Sequence, residues 1–552
     1  MDAAAGVRPR EGMSKEERRV IVASSAGTVF EWYDFFLVGA LATEISRHFF
    51  SGVNPTAAYI FTLLSFAAGF VVRPLGAIVF GRLGDIVGRK YTFLVTISLM
   101  GVATFVIGLL PSFATLGILA PAIFIVMRML QGLALGGEFG GAVTYVAEHA
   151  PHERRAAWTS WVVMTASIGL VLALVIIIAL RFALGAEQFM AWGWRLPFLF
   201  SIVLLLISVG IRMKLQESPT FRRMKEAGRT SKAPLSEAFC RWKNLRVVLV
   251  AFFGLAIGQG LVWYTGSFYP LMYMSQVLKV DGATTNAMII VATVLTAPLY
   301  YVVAGVSDRV GRKPIFMIGL ALGIAFFFPL YKALTVYVNP ALAAAQADSP
   351  ILVVADPEQC SIQFNPTGTA KFRSSCDIAK SSLASAGVSY ETRRGAPGQL
   401  AEIRIGDARV TAYDGSAADA AAKEADYRAA LMGALERAGY ASTFDPARVN
   451  WPMAILVLMA MMSFATFTYG AMAASLVEMF PTRIRYTSLS LPYHVGIGWF
   501  GGFLPAAAFA IMAETGDIYA GLWYPVALIA VSFVVCLLFL RETKDVDIFR
   551  DD

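Results

Sequence analysis

The sequence GRLGDIVGRK at residues 81–90 occurs a second time, in altered form, as AGVSDRVGRK at residues 304–313. In this alignment Asp85 corresponds to Asp308, which lies 223 residues later. A second pair of similar stretches, EHAPHERRA at 148–156 and EMFPTRIRY at 478–486, is offset by 330 residues. We infer that the chain contains two related halves, and that about 107 additional residues lie between positions 313 and 478.

The composition around these stretches indicates a membrane protein. Hydrophobic residues make up 57% of the chain and charged residues 15%, compared with roughly 25% charged residues in soluble domains. Apolar runs such as 161–180 have the length of roughly 20 residues that a helix needs to cross a bilayer. We predict twelve spans, near 20–46, 57–80, 91–111, 116–146, 157–182, 194–212, 246–273, 284–305, 314–337, 451–479, 487–513 and 519–540.

The distribution of Lys and Arg predicts the orientation of the spans. With the N-terminus in the cytoplasm, the cytoplasmic segments contain 28 Lys and Arg and the short external loops contain four. This excess follows the positive-inside rule. Residues 1–19 are basic rather than apolar, so we expect no cleaved signal peptide and two cytoplasmic termini. The net charge of +8 then comes from the orienting loops and does not require nucleic acid as a partner.

The repeated loop and the twelve spans resemble the major facilitator superfamily. The pattern GxxxDxxGRK lies between spans 2 and 3, a degenerate copy lies between spans 8 and 9, and RMLQG at 128–132 is similar to a second motif of that superfamily. The resemblance implies an all-α membrane fold of twelve helices in two six-helix halves. The expected division is an N-terminal half at 1–215, a cytoplasmic loop at 216–244, a C-terminal half at 245–339 and 450–552, and a periplasmic insert at 340–449.

The repeated loop also predicts a cytoplasmic gate. Gly81 and Gly88 permit a tight turn and close helix packing. Asp85 can accept charge-assisted hydrogen bonds from Arg89 or from the N-terminus of a neighbouring helix. Such contacts would hold the cytoplasmic ends together in one conformation, whereas the alternative is simply a basic loop with a turn. The candidate gate residues are Gly81, Asp85, Gly88, Arg89, Asp308 and Arg312.

Four further stretches resemble one branch of the superfamily, the metabolite:proton symporters. They are EWYDF at 31–35, VRPLGA at 72–77, RMLQGLALGGEFGGA at 128–142 and QESPTF at 216–221. This branch contains bacterial inner-membrane carriers for α-ketoglutarate, citrate, shikimate, proline and betaine. The resemblance implies a multi-pass inner-membrane symporter that works as a monomer. Span 5 lacks the Gly-Pro element of drug/proton antiporters, which argues against efflux.

Charged residues inside the predicted spans are the main functional candidates. They are Glu31, Asp34, Arg73, Arg128 and Glu138. Each costs at least about 2.5–3.5 kcal/mol at the bilayer centre, so such groups usually pair or line a water-filled path. We predict that the three acids carry protons and that the two arginines bind a carboxylate substrate through paired hydrogen bonds. The alternative is that these pairs only hold spans 1, 2 and 4 together.

Polar aromatic residues add a second set of candidates. Tyr33 lies in the EWYDF stretch, Tyr264 lies in span 7, and Tyr493 and His494 lie in span 11. These side chains can line the cavity, and His494 titrates near neutral pH. They can equally pack against lipid or neighbouring helices.

The insert predicts a small α+β domain. ILVVA at 351–355 is typical of a strand, and residues 401–413 alternate around Gly406 and Asp407 as in a hairpin. Residues 416–438 predict a helix, with Ser416 as its cap and Gly439 as its end. Cys360 and Cys376 form a disulfide in an oxidising periplasm or remain free thiols. We identify no metal-binding spacing, no cofactor motif and no catalytic constellation.

These patterns predict a proton-coupled carrier that imports a small organic acid by alternating access, and not an enzyme. The expected partners are the substrate, protons and the lipid bilayer. A proton symporter for a zwitterion such as proline or betaine is an alternative. A transporter-like sensor with an external ligand-binding domain is a second one.

Overall fold

The computed structural model describes residues 15–51, 55–213, 222, 225–226, 231, 233–361, 373–440 and 444–548. All twelve predicted spans coincide with helices. The first half contains α1 (Lys15–Ala40), α2 (Pro55–Ile86), α3 (Arg89–Leu109), α4 (Leu119–His149), α5 (Arg155–Ala191) and α6 (Leu196–Met213). Short helices at Ala42–Phe49 and Phe113–Leu116 connect them.

The second half begins after a short helix at Pro234–Phe239 and is interrupted by the insert. Its helices before the insert are α7 (Trp242–Gln276), α8 (Gly282–Val310) and α9 (Arg312–Val338). The insert contains α10 (Pro340–Asp348), β1 (Ile351–Ala355), α11 (Ser375–Ala386), β2 (Tyr390–Arg394), β3 (Glu402–Ile405), β4 (Ala408–Thr411) and α12 (Ala420–Arg437). The chain then forms α13 (Trp451–Met479), α14 (485–515, with π-helical turns at Gly496–Gly501) and α15 (Trp523–Phe539).

Nine of the helices in the described part of the chain are long and apolar enough to cross a membrane. The other three predicted spans coincide with α1, α2 and α14. The two halves meet where α2 packs against α14 and where α5 packs against α8. Spans 2 and 8 are equivalent in the repeat, as are spans 5 and 11, so the two contacts are related by the duplication.

Close contact between α2 and α4 depends on glycine. A Cβ at Gly132 would collide with the carbonyl oxygen of Gly69, and one at Gly136 would collide with the carbonyl oxygen of Arg73. Small residues at such positions let helix backbones approach closely. This packing brings Arg73 against α4.

The insert forms a four-stranded sheet in the order β2-β1-β3-β4. Strand β1 is parallel to β2 and antiparallel to β3, which forms a hairpin with β4. The predicted strand at 351–355 and the predicted hairpin are therefore confirmed. Periodicity did not reveal β2 or α11.

The predicted start of the last insert helix is wrong. The helix begins at Ala420 and not at 416. The Ser416 hydroxyl donates to Oδ1 of Asp414 at 2.6 Å. This hydrogen bond closes a tight turn, so the Ser416 side chain does not cap the helix. The predicted end agrees better, since Gly439 follows the helix with φ of +86°.

The insert packs on the C-terminal half. The backbone N–H of Tyr390 donates to the Gly516 carbonyl at 2.7 Å, and Nζ of Lys279 donates to the Ser385 carbonyl at 2.8 Å. A disulfide joins Cys360 and Cys376. Because α9 leads directly into α10, the insert lies at one end of the bundle. The opposite end, which carries residues 86–89 and 311, is called the latch end below.

Candidate functional site

Three buried side chains from α1, α4 and α6 form what we call the carboxylate cluster: Glu31, Glu138 and Arg212. Nη2 of Arg212 lies 2.5 Å from Oε1 of Glu138, and Nη1 of Arg212 lies 3.6 Å from Oε1 of Glu31. Two carboxylates therefore compete for one guanidinium. Glu138 holds the closer contact, and it also accepts hydrogen bonds from the hydroxyls of Thr28 and Thr96, both at 3.2 Å.

Glu31 is the less well satisfied acid of the pair. Neither oxygen of Glu31 accepts a hydrogen bond with good distance and angle from the described residues, whereas both oxygens of Glu138 accept hydrogen bonds from Arg212. The side chain of Glu31 is only 2% exposed. Burying a carboxylate with so little compensation is expensive, and the cluster holds two carboxylates for one guanidinium.

A second group, the arginine cluster, consists of Arg73 and Arg128, whose guanidiniums both lie close to the ring of Phe35. The guanidinium carbons lie 4.3 Å and 4.8 Å from the centre of the Phe35 ring. Arg73 also lies 4.2 Å from the ring of Phe70. Nε and Nη2 of Arg73 are buried and have no hydrogen-bond partner among the described residues. Two cations on one ring form an electropositive centre with unused donors.

Polar side chains link the arginine cluster to Asp34. Nη1 of Arg128 donates to Gln131 at 2.5 Å, and the Gln131 amide donates to the Thr104 hydroxyl at 2.6 Å. The same hydroxyl lies within hydrogen-bonding reach of the Asp34 carboxyl. Oδ1 of Asp34 has no partner among the described residues. Asp34 is therefore coupled to Arg128 through two neutral groups.

The C-terminal half contributes neutral polar and aromatic groups to this region. Tyr264 packs edge-on against Phe70, with ring centres 6.1 Å apart. A Cβ on Gly498 would lie 3.8 Å from Cδ of Arg73, so Arg73 reaches the surface of α14. Both ring nitrogens of His494 are buried and have no hydrogen-bond partner within the described ranges. Tyr493 donates to or accepts from Tyr469.

Tyr33 differs from the other candidates. Its hydroxyl donates to the Pro197 carbonyl at 2.8 Å. It therefore ties α1 to the start of α6.

At the latch end, each half caps a helix of the other half. Oδ2 of Asp85 accepts from the backbone N–H of Thr487 at 2.9 Å and from its hydroxyl at 2.7 Å. Asp308 accepts from the backbone N–H groups of Ala156 at 3.0 Å and Ala157 at 2.9 Å. Both acids lie at helix N-termini, where the backbone favours negative charge. Of the two predicted partners of Asp85, Arg89 and a helix N-terminus, the structure shows the helix N-terminus. Asp308 in the second copy of the loop makes the same kind of contact.

The glycines of the repeated loop permit this approach. Gly88 and Gly311 immediately precede α3 and α9 and have φ of +137° and +127°, a region that favours glycine. A Cβ at Gly81 would lie 3.2 Å from the Cα of Thr487. The side chain of Arg89 lies outside the described part of the structure.

Ion pairs surround the two caps. Arg312 binds Asp308 at 2.7 Å and Glu478 at 3.2 Å, and Glu478 also binds Arg155 of the other half at 2.8 Å. The equivalent contact of the other copy joins Arg485 to Glu148 at 3.0 Å. All of these carboxylates and guanidiniums are nearly fully buried, so the latch end is closed.

The interior site is buried as well. None of the six charged side chains of the two clusters and Asp34 is more than 4% exposed. Among the described residues, no group of three or more metal-ligating side chains exists. The arrangement can hold protons on carboxylates and an anion at the unused donors of Arg73.

Comparison with known proteins identifies the family. A model described as "Sugar (and other) transporter" matches residues 19–238, and one described as "MFS/sugar transport protein" matches residues 140–355. The shikimate transporter of Escherichia coli (strain K12) is 35% identical over 335 residues, which cover 59% of this chain and 75% of the relative. The chain belongs to the major facilitator superfamily.

Within the superfamily it is a metabolite:proton symporter homologue and a multi-pass inner-membrane protein. The inner membrane metabolite transport protein YhjE of Escherichia coli (strain K12) is 37% identical over 332 residues, covering 59% of this chain and 75% of YhjE. The solved structure of the proton:xylose symporter XylE with 6-bromo-6-deoxy-D-glucose has a TM-score of 0.62 at 14% identity. That alignment covers 96% of each chain and shows the major facilitator fold.

One residue of the carboxylate cluster escaped the sequence prediction. Arg212 lies in the last turn of α6, and the predicted span ended at that residue, so it was counted with the basic loop that follows. The signal was the imbalance of the predicted interior charges, three acids against two bases. A third base was needed to compensate Glu31 and Glu138, and Arg212 supplies it.

Proposed function

We propose that this protein imports a small organic anion together with protons, by alternating access across the bacterial inner membrane. The observation that carries the proposal is the arginine cluster, in which two buried guanidiniums lie close to the ring of Phe35 and Arg73 has unused donors. Guanidinium groups bind carboxylates through two parallel hydrogen bonds. A substrate carboxylate would therefore complete the coordination of Arg73.

The proton sites in this mechanism are carboxylates of the N-terminal half. Glu31 and Glu138 share Arg212, and the cluster is neutral when it holds one proton. Asp34 is one turn from Glu31 and is connected to Arg128 through Thr104 and Gln131. Binding an anion at the arginine cluster lowers the local positive potential and favours protonation of the nearby acids. This coupling makes the loaded state neutral enough to close and reorient.

The latch supplies the conformational change. Capping of α14 by Asp85 and of α5 by Asp308 stabilises the state in which the latch end is closed. Breaking both caps would let the halves separate at that end while the opposite end closes. We assign the latch end to the cytoplasm, which puts both termini there and the insert outside, and we expect a monomer to be sufficient because both clusters lie within one chain.

A zwitterion such as proline or betaine is the second candidate substrate. The glycine betaine/proline/ectoine/pipecolic acid transporter OusA of Dickeya dadantii (strain 3937) is 34% identical over 323 residues, covering 56% of this chain and 63% of OusA. Aromatic side chains next to Arg73, namely Trp32, Phe35 and Phe70, can hold an ammonium group by cation–π attraction. The carboxylate would still bind Arg73.

Uptake by purified protein in liposomes tests the proposal. With an imposed pH gradient, interior alkaline, we expect accumulation of labelled shikimate, abolished by a protonophore. Glycine betaine and L-proline are the comparison substrates. Accumulation of these two but not of organic acids would replace the first candidate by the second. A protein that binds ligand but moves none of them under the gradient would contradict symport and favour a sensor.

A further inference from the structure

A cavity of about 380 Å³ lies between the insert and the C-terminal half. Helices α11 and α12 form one side, and Val277, Lys279 and Asn339 of the C-terminal half, with Leu342 of α10, form the other. It lies at the end of the bundle opposite to the latch, and no residue of the carboxylate cluster or the arginine cluster lines it. Nothing in the transport mechanism uses it.

The inner part of the cavity is apolar and aromatic with hydroxyl groups. Tyr427 is 7% exposed, and its hydroxyl has no hydrogen bond of full geometry within the described residues, with Ser382 as its polar neighbour. Burial raises the pKa of Tyr427 to about 12, so the hydroxyl is a donor at neutral pH. The ring of Tyr413 meets that of Tyr427 edge-on at 5.6 Å. Leu431 closes the floor.

Charges of both signs stand at the rim. Glu424 and Arg428 lie four residues apart on α12, which places them on one face of the helix. Burial raises the pKa of the Tyr413 hydroxyl, Glu424 raises it further and Arg428 lowers it, so both charges act on the mouth of the cavity. The ion pair at the start of α12 joins Lys423 to Asp419 instead, at 2.8 Å.

A third charge comes from the opposite wall. Lys279 has an unusual left-handed backbone with φ of +57°, and its ammonium donates to the Ser385 carbonyl at 2.8 Å. An ammonium can donate three hydrogen bonds, so this contact leaves capacity for a ligand. The lining of the cavity therefore includes one carboxylate, two cations and two tyrosine rings.

We propose that this cavity is a binding site for a small zwitterion, whose carboxylate binds Arg428 and Lys279 while its cationic group lies between Glu424 and the rings of Tyr413 and Tyr427. A dianion would be repelled by Glu424, and a simple cation would meet two like charges. Tyrosine faces attract ammonium groups, and the attraction is stronger where water is excluded. The apolar floor suits a ligand with an aliphatic body. The site stands on the insert and does not depend on which substrate the membrane half carries.

Hydrogen exchange measured by mass spectrometry on the full-length purified protein tests this site directly. Glycine betaine and L-proline are the probes, and shikimate is the anionic comparison. We expect either zwitterion to slow hydrogen exchange in peptides covering Ser375–Ala386 and Ala420–Arg437. The slowing should reach half its maximum at a defined zwitterion concentration, and shikimate at the same concentration should not slow exchange to this extent. Absence of any slowing with both zwitterions, or equal slowing by shikimate, would overturn the proposal.

Substitutions at the rim of the cavity test whether Glu424 and Arg428 bind the ligand. Glu424→Gln and Arg428→Gln should each raise the half-maximal concentration about tenfold or more, since a hydrogen bond to a charged group is worth about 1.5–3 kcal/mol. Lys423→Gln is the matched control on the same helix and should leave it unchanged. Arg73→Gln removes the membrane site but should retain protection of the insert, which separates this proposal from the transport function. The unfolding temperatures of the four variants identify any that fails to fold. If a rim variant fails, Tyr427→Phe is used in its place to test the cavity. Equal binding by the rim variants and the wild type would contradict the assignment.

Discussion

The two six-helix halves have the same topology and the same latch, yet their interiors differ in kind. At the latch end, Asp85 and Asp308 occupy equivalent positions and cap equivalent helices of the opposite half. In the interior, the N-terminal half contains all six buried charges of the site, whereas the C-terminal half offers tyrosines and His494. The latch needs matching partners on both sides, because closing the bundle requires contacts from each half.

The interior has no such requirement. When the ionisable groups all lie in one half, opposite charges on neighbouring helices can offset the free-energy cost of burying one another. Arg212 does this for Glu31 and Glu138. In the interior, the two halves can then move past each other without breaking an ion pair, because the ion pairs between them described above lie at the latch end. This difference predicts that substitutions in the N-terminal interior affect stability and coupling, whereas equivalent latch substitutions have equal effects in the two halves.

The largest effect is expected for Arg212→Gln. It leaves two carboxylates buried without a cation, and removing one partner of a buried pair costs about 3–5 kcal/mol. We expect a large fall in unfolding temperature and loss of uptake. Arg195→Gln, which removes a 2.5 Å bond to the Leu110 carbonyl at the other end of the same helical segment, should cost much less. A variant R212Q as stable as R195Q would show that the acids are already neutral or solvated.

The next effect concerns coupling. Asp34→Asn is nearly isosteric, so we expect the variant to fold and to exchange labelled substrate for unlabelled substrate, but not to accumulate it under a pH gradient. Glu44→Gln is the control, because Glu44 is buried in the same half but pairs with Arg181. The two assays in one preparation of liposomes separate binding from coupling. Accumulation by D34N at the wild-type level would remove Asp34 from the proton path.

A smaller effect is expected for Arg73→Lys. Lysine keeps the charge but loses the second parallel hydrogen bond, and a hydrogen bond to a charged group is worth about 1.5–3 kcal/mol. We expect KM for uptake to rise about 10- to 100-fold with a smaller change in the maximal rate. Arg181→Lys, at a half-exposed pair, should leave KM unchanged. An unchanged KM in R73K would mean that Arg73 only packs between Phe35 and Phe70.

Much of the fold could be predicted from the sequence because hydrophobic length and internal repetition are local signals. The twelve spans, the strand at 351–355 and the hairpin around Gly406 depend on such signals. The start of α12 could not be predicted, because the bond from Ser416 to Asp414 that competes with capping depends on the folded turn.

The site was only partly predictable for a similar reason. A charge inside an apolar run is visible in the sequence, which is how Glu31, Asp34, Arg73, Arg128 and Glu138 became candidates. The pairing of these residues depends on helix rotation and on contacts between spans far apart in the chain. Arg212 lies where a span gives way to a basic loop, so its burial could be inferred only from the charge that its partners lack.

The smallest expected effect tests the symmetry of the latch. Asp85→Asn and Asp308→Asn each weaken a helix-capping interaction, which is worth about 0.5–2 kcal/mol. Spin labels at Ile86 and Val310, both exposed at the latch end of opposite halves, would report its opening as a second, longer distance once the exposed Cys240 is replaced by serine. We expect the fraction of molecules with the longer distance between the labels to grow several-fold, and to a similar extent, in both variants. A much larger response in D308N would show that the ion pairs of Arg312 and Glu478 make the second copy the principal lock, and the two halves would then differ at the latch as they do in the interior.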